Sequence, residues 1–139
     1  MATLPDDVRA LFQGPNYAHL ATLMPDGSPH SVAIWAGVEG DNVVFFTQEG
    51  SVKAKNMAKD PRVAISITDH DNPYNTAQLR GRLVEVRGVE DADALADELG
   101  VRYTGEPFPF HPPTSRMYVV EVDKVVSTQL PFEHRPAAA

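Results

Sequence analysis

The residues from Thr47 to Asn56 combine the end of a predicted strand, a glycine and two lysines, and together they could hold a negatively charged ligand. Ser51 is a typical N-cap residue, so a helix is predicted to begin there. A helix N-terminus exposes unpaired backbone N–H groups and the positive end of the helix dipole, and both attract phosphate. Lys53 and Lys55 would add positive charge to that site. The same pattern also fits a capped surface helix with solvated lysines.

The distribution of charge favours a small anionic ligand over nucleic acid. The chain of 139 residues has 12 Lys and Arg against 19 Asp and Glu, a formal net charge of −7. Nucleic-acid binding requires a basic surface, which this balance does not provide. Against the acidic background, four cations lie close together in the sequence: Lys53, Lys55, Lys59 and Arg62. A basic island of this size suits a small anion better than a polymer.

A second stretch, from Gly27 to Ala36, could lie against a flat ring, because its side chains are mostly short. Trp35 could stack on such a ligand, but aromatic side chains more often fill cores, and a core position is the favoured interpretation. His30 could donate a hydrogen bond to a ring carbonyl or merely flank the turn beside Pro29.

Several chemistries lack the residues that they need. The absence of cysteine excludes disulfides, thiolate metal sites and cysteine nucleophiles, and no metal site is predicted. No Ser-His-Asp arrangement or recognisable pair of carboxylates supports a hydrolase. The histidines are scattered, with no clearly placed axial ligand for haem. No apolar run approaches the ~20 residues that span a bilayer. No secretory signal is evident, so a cytoplasmic location is expected.

The elements that must position these residues are mainly β-strands joined by short turns. One domain over 1–139 is expected, with its core at about 8–128 and a frayed tail over 131–139. Strands are predicted at 17–23, 31–35, 42–47, 63–68, 78–86 and 117–122, with 125–128 as a candidate continuation. Helices are predicted at 5–12, 51–58 and 91–99, the last ended by Gly100; 37–41 is predicted as a turn, and 69–73 and 105–113 as loops. The lack of βαβ alternation argues against a Rossmann domain, and the pattern predicts an antiparallel barrel.

Several short pieces occur in a characteristic order along the chain: 19–30, 43–47, 53–56 and 60–64, followed by Asn72-Pro-Tyr74, Arg80-Gly-Arg82 and Arg102-Tyr-Thr-Gly105 with Pro107 and Pro109. The ordered set resembles the pyridoxamine 5'-phosphate oxidase-like superfamily of flavin-binding split barrels. Its later pieces resemble the branch of probable coenzyme F420-dependent enzymes. The resemblance covers about residues 8–126 and implies a mainly β fold, a six-stranded antiparallel split β-barrel.

The resemblance also implies a cofactor site. Lys53, Lys55 and Asn56 would meet the cofactor phosphate or its anionic tail, and Thr47 would lie beside the ribityl chain. Four consecutive residues would line the ring: His30, Ser31, Val32 and Ala33. Relatives often carry a basic residue where Ser51 stands, so the anion site here would depend more on backbone N–H groups.

A homodimer with cofactor sites at the subunit boundary is implied as well. Gln78, Arg80 and Arg116 could then reach a cofactor from either subunit, although arginines on barrel strands are often ordinary surface residues. Three side chains in or near irregular segments are candidate proton donors, and each is more often a packing residue: Tyr103, Tyr74 and His111. No nucleic acid or membrane partner is expected.

Coenzyme F420 is favoured over FMN mainly because the later pieces resemble the F420-dependent branch. The cluster of Lys53, Lys55 and Lys59 also fits the open, basic site that the anionic tail of F420 needs beyond the phosphate. The expected activity is hydride transfer from reduced deazaflavin to a small organic acceptor, such as an enone, a quinone or a tetrapyrrole-like compound, with the protein supplying position and exclusion of water. The alternatives are an FMN-dependent oxidoreductase of the same superfamily and a non-catalytic carrier of a flavin or tetrapyrrole. Oxidation of a pyridoxine-type phosphate is disfavoured, since no second basic site is evident for the substrate's own phosphate.

Overall fold

The computed structural model describes residues 2–138, which form one antiparallel sheet and three helices. The strands are β1 Ala18–Leu23, β2 Pro29–Ile34, β3 Gly37–Glu39, β4 Asn42–Gln48, β5 Arg62–Thr68, β6 Asn75–Arg87 and β7 Ser115–Gln129. The helices are α1 Asp6–Gln13, α2 Val52–Lys59 and α3 Val89–Thr104. The strand order is β2-β1-β5-β6-β7-β4-β3. The mainly β split-barrel fold expected from the sequence is confirmed.

Strand β4 separates two hydrophobic clusters, because its apolar side chains alternate between them. Val43 and Phe45 are fully buried in the main core, which also receives α1 and the inward residues of β1, β5, β6 and β7. Val44 faces the opposite way and packs with Leu95 and Leu99 of α3. A strand buried on both faces explains the uninterrupted apolar run from 43 to 46.

The described residues contain seven strands where six were expected, because part of the predicted turn at 37–41 is a strand. Gly37 and Val38 pair with Val44 and Val43, and the turn itself occupies only Gly40 and the residue after it. Gly40 has a φ of 61°. A two-residue hairpin turn requires a positive φ, which glycine adopts readily. With a single apolar residue, this short strand has no alternation that sequence reasoning could detect.

Helix α3 does not end at Gly100 as predicted but continues to Thr104, and Gly105 follows in the left-handed conformation with φ 86°. Gly100 has a different role. A Cβ there would lie 2.6 Å from the backbone nitrogen of Phe108 and 2.8 Å from the carbonyl oxygen of Glu106. The glycine therefore allows the chain that follows the helix to pass directly over it.

The other differences are shifts of boundaries. Strand β2 begins at Pro29 rather than Ser31, β6 begins at Asn75, and β7 is one strand through the candidate continuation. Residues 131–138 of the predicted tail form no helix or strand, and residue 139 lies outside the described residues. Within residues 2–138, no helix combines the length with the apolar composition required to span a bilayer.

Candidate functional site

Two cavities meet where β4 ends and α2 begins. The first has a volume of about 610 Å³ and is lined by Phe46, Thr47, Gln48, Gly50, Ser51, Phe108, Phe110, Pro112 and Ser115. The second, of about 240 Å³, is lined by Tyr17, Ala33, Ile34, Trp35, Phe46, Lys53 and Phe108. Because the two share Phe46 and Phe108, we treat them as one site and call it the α2 groove.

The polar end of the α2 groove is the N-terminus of α2. Ser51 caps the helix as predicted: its Oγ accepts a hydrogen bond from the backbone N–H of Ala54 at 3.3 Å. Thr47 Oγ1 lies 3.2 Å from the same oxygen and donates to it, which leaves the Ser51 hydroxyl hydrogen for another acceptor. The first turn of α2, all of it within the described residues, carries no acidic side chain to occupy the positive end of the dipole.

Lys53 supplies the positive charge of the α2 groove. Its side chain is half-buried, and burial lowers the pKa of its ammonium group below the ordinary value. Within residues 2–138, no carboxylate forms an ion pair with it. A partly desolvated cation without a counter-ion is stabilised by an arriving anion. This arrangement fits a phosphate better than a neutral ligand.

The structure does not bring Lys55 and Asn56 to the α2 groove. Lys55 lines a separate cavity of about 380 Å³ beside Met24. The side chain of Asn56 is buried, and its Nδ2 donates to Thr22 Oγ1 at 3.0 Å. Helical positions two residues apart point in different directions, so the cations of Lys53 and Lys55 cannot share one small ligand within a subunit. Contact of Lys55 and Asn56 with the cofactor phosphate or its anionic tail stays a prediction.

The four predicted ring-lining residues of β2 alternate between two faces of the sheet. Ala33 lines the α2 groove, and Ser31 lies on the same face. Val32 packs against the main core. The Nδ1 atom of His30 is buried and has no hydrogen-bond partner among the described residues. Of the four, Ala33 is the residue that the structure places in the groove, and its small side chain permits close approach.

Gln78 and Arg80 lie on the exposed face of the sheet, away from the α2 groove. They line a cavity of about 410 Å³ together with Ser31 and Lys124. Gln78 is connected to Ala33 by a row of directly paired residues across β6, β5, β1 and β2. Three strand spacings separate the two residues, a distance of about 14 Å.

Arg116 borders the α2 groove from β7, where it pairs with Thr47 of β4. Its Nη1 donates to the carbonyl oxygens of Pro113 at 2.8 Å and Ser115 at 2.7 Å, and its Nη2 lies 3.4 Å from the Glu49 carboxylate. These contacts hold the end of the loop at 105–113 beside the groove.

The three candidate proton donors make other contacts. The hydroxyl of Tyr103 donates to the carbonyl oxygen of Asn16 at 2.6 Å, and burial raises its pKa. Tyr74 packs against Phe132, with 5.4 Å between ring centroids, and His111 Nε2 lies 2.8 Å from Asp97 Oδ1. Within residues 2–138, the lining of the groove includes none of the three. Their role in proton transfer stays a prediction.

Aromatic side chains form the apolar end of the α2 groove, and sequence reasoning missed most of them. Trp35 stacks on Tyr103, with 5.1 Å between centroids and an interplanar angle of 11°. Its ring meets Phe108 edge-on at 5.8 Å, and Phe108 meets Phe46 at 5.2 Å. Trp35 therefore packs against the second hydrophobic cluster, as favoured, and also lines the groove. The available signal was the pair of phenylalanines in the proline-rich loop, at 108 and 110.

Comparison with solved structures agrees with the fold. A solved structure described as an F420 reductase is 30% identical and superposes with a TM-score of 0.78 over 88% of this chain and 98% of that one. A conserved hypothetical protein of Mycobacterium tuberculosis, 21% identical, superposes with a TM-score of 0.77 over 100% of this chain and 94% of that one, and supports the fold alone.

Sequence comparison identifies the family. A pyridoxine/pyridoxamine 5'-phosphate oxidase of Kineococcus radiotolerans is 36% identical over 85 residues, which are 61% of this chain and 38% of that protein. The chain thus spans well under half the length of that relative. The profile of the family described as pyridoxamine 5'-phosphate oxidase matches residues 4–129, nearly the whole chain. The chain therefore belongs to the pyridoxamine 5'-phosphate oxidase family.

Proposed function

We propose that the protein is an oxidoreductase that binds coenzyme F420 in the α2 groove and transfers hydride between the deazaflavin and a small organic acceptor. The half-buried ammonium of Lys53, without an ionic partner in residues 2–138 and next to the N-terminus of α2, carries this proposal. The similarity to an F420 reductase supports the choice of cofactor, and the family supports the class of chemistry.

The residues present fit such a cofactor. The phosphate would lie at the N-terminus of α2, where Lys53 and the Ser51 hydroxyl can both donate to it. The wall formed by Phe46 and Phe108 would exclude water from one side of the ring, and the small side chain of Ala33 leaves room for its approach. When bound in reduced form, the deazaflavin would supply the hydride, while the protein supplies position and a dry surface.

Binding of F420 is expected to be tighter than binding of FMN. Both carry the phosphate, but the additional carboxylates of F420 can reach cations outside the groove, and each exposed charge pair changes affinity by up to about fivefold. Titration of the purified protein with each compound, followed by fluorescence quenching, measures the ranking. Tighter binding of FMN would move the protein to the flavin-dependent members of the family.

Turnover distinguishes an enzyme from a carrier. Reduced F420 is expected to be oxidised in the presence of at least one acceptor among enones, quinones and biliverdin, which absorbance measures directly. Binding of F420 without oxidation by any of these acceptors would favour the non-catalytic carrier.

We also propose that the protein acts as a homodimer. Gln78 lies about 14 Å from Ala33 across the sheet and Arg80 lies two residues farther along β6, so within one subunit neither lines the groove in which the ring would be held. From a second subunit they could reach it, because they lie on an exposed face. Sedimentation is expected to give twice the mass of the chain. If the protein binds F420 with full affinity as a monomer, Gln78 and Arg80 are not part of the cofactor site.

A further inference from the structure

The loop at 105–113 forms one wall of the α2 groove. Phe108, Phe110 and Pro112 all line the larger cavity, and Phe108 lines the smaller one as well. The two phenylalanine rings contact each other, with 5.7 Å between centroids. Residues 107–112 contain no helix or strand, so the position of this wall depends on contacts with its neighbours.

The two ends of the loop are fixed by contacts made to its backbone. At its start, the segment from Glu106 to Phe108 lies directly over Gly100 of α3. At its end, Arg116 donates to the carbonyl oxygen of Pro113. Between these points, His111 extends back to α3, where its Nε2 lies 2.8 Å from Asp97 Oδ1. This contact lies one residue from Phe110 and joins the middle of the loop to the helix.

We propose that His111 is a positioning residue, whose ion pair with Asp97 holds Phe108 and Phe110 over the α2 groove. Loss of the pair would let this aromatic wall move away from the groove and expose Trp35, which lies against Phe108. The role assigned to the α2 groove rests on the proposed function, but the position of the wall does not.

The pairing depends on pH in a defined direction. The hydrogen bond with Asp97 raises the pKa of His111, and the nearby charges of Asp97 and Asp93 on α3 act in the same direction. The ion pair is therefore complete below the ordinary histidine value and is lost as the pH rises through the raised one. Neutral His111 can still donate a hydrogen bond, so the wall is loosened rather than released. The side chains are partly exposed, so the effect is expected to reach about fivefold at most.

The single tryptophan of the chain allows a test without any ligand. Acrylamide quenching of Trp35 fluorescence is expected to increase between about pH 5.5 and pH 8.5, with a midpoint above the ordinary histidine value of ~6.5. In His111→Gln the quenching is expected to be independent of pH in that range and as high as that of the wild type at its upper end. In His111→Lys, which keeps the positive charge, it is expected to stay low throughout. Asp91→Asn, on the same helix but outside the contacts of His111, is the matched control and should follow the wild type.

The same variants test the effect on ligand binding. Dissociation of F420 is expected to accelerate with pH in the wild type and to lose this dependence in His111→Gln. If F420 does not bind, the proposed function fails while the quenching results still decide the position of the wall. If wild type and His111→Gln show the same pH profile of quenching, the assignment of His111 is wrong, whatever the protein binds.

Discussion

Replacement of Lys53 by alanine is expected to lower the affinity for coenzyme F420 by about tenfold or more. A hydrogen bond to a charged group contributes about 1.5–3 kcal/mol. Because the ammonium group is half-buried rather than fully enclosed, we expect a loss near the lower end of that range. The fold should not change, since the side chain makes no ion pair within residues 2–138. Fluorescence titration gives the affinity, and the urea midpoint of unfolding verifies the fold.

Lys55 provides the matched control for this experiment. It carries the same charge on the same helix but lines a different cavity. Lys55→Ala should therefore lower the affinity by no more than the roughly fivefold expected for an exposed charge pair outside the groove. Equal losses in the two variants would place the anion elsewhere on α2 and would contradict the assignment of the groove.

Replacement of Gly100 by alanine is expected to destabilise the protein, although the same change in an isolated helix would stabilise it. Helix propensity favours alanine over glycine by about 1 kcal/mol. Here, however, the new Cβ would lie within 3.0 Å of backbone atoms of the segment from Glu106 to Phe108. Overpacking of this kind costs about 1–3 kcal/mol, so the net change in the free energy of unfolding should be negative. Urea denaturation measures it.

A substitution at the neighbouring residue separates the effect of helix propensity on stability from the effect of packing against the loop. Val101 lies on the exposed side of α3, so Val101→Ala should stabilise slightly through propensity alone. In Gly100→Ala, displacement of the loop should also raise the acrylamide quenching of Trp35. A Gly100→Ala protein that is more stable than wild type, with Trp35 equally protected, would show that the loop does not pack on the helix.

Strands with a clear pattern could be predicted from the sequence, but close contacts between distant segments could not. The apolar run from Val43 to Phe46 indicated a strand buried on both faces because few other arrangements hide four consecutive large side chains. Gly100 was misinterpreted because a glycine in a helical pattern is consistent with a helix end or with a close backbone contact. Only the path of the following loop distinguishes these, and that path depends on tertiary contacts such as His111 with Asp97.

The candidate site was predicted only in part for a similar reason. The resemblance implied that Lys53, Lys55 and Asn56 contact one cofactor, whereas α2 places Lys53 in the α2 groove and Lys55 and Asn56 on a separate cavity. The N-cap role of Ser51 was predictable because it is local. The aromatic wall was not, since Phe46 and Phe108 are 62 residues apart in the sequence.

The buried hydrogen bond from Asn56 to Thr22 has a consequence for how this protein could acquire a new ligand preference. The bond fixes the rotation of α2 about its own axis, since any turn of the helix would leave an amide without a partner inside the protein. Helix residues that take no part in this bond can therefore be exchanged while the orientation of α2 is preserved. Engineering of ligand selectivity should begin at position 53 and leave the N-cap at position 51 and the anchor at position 56 unchanged.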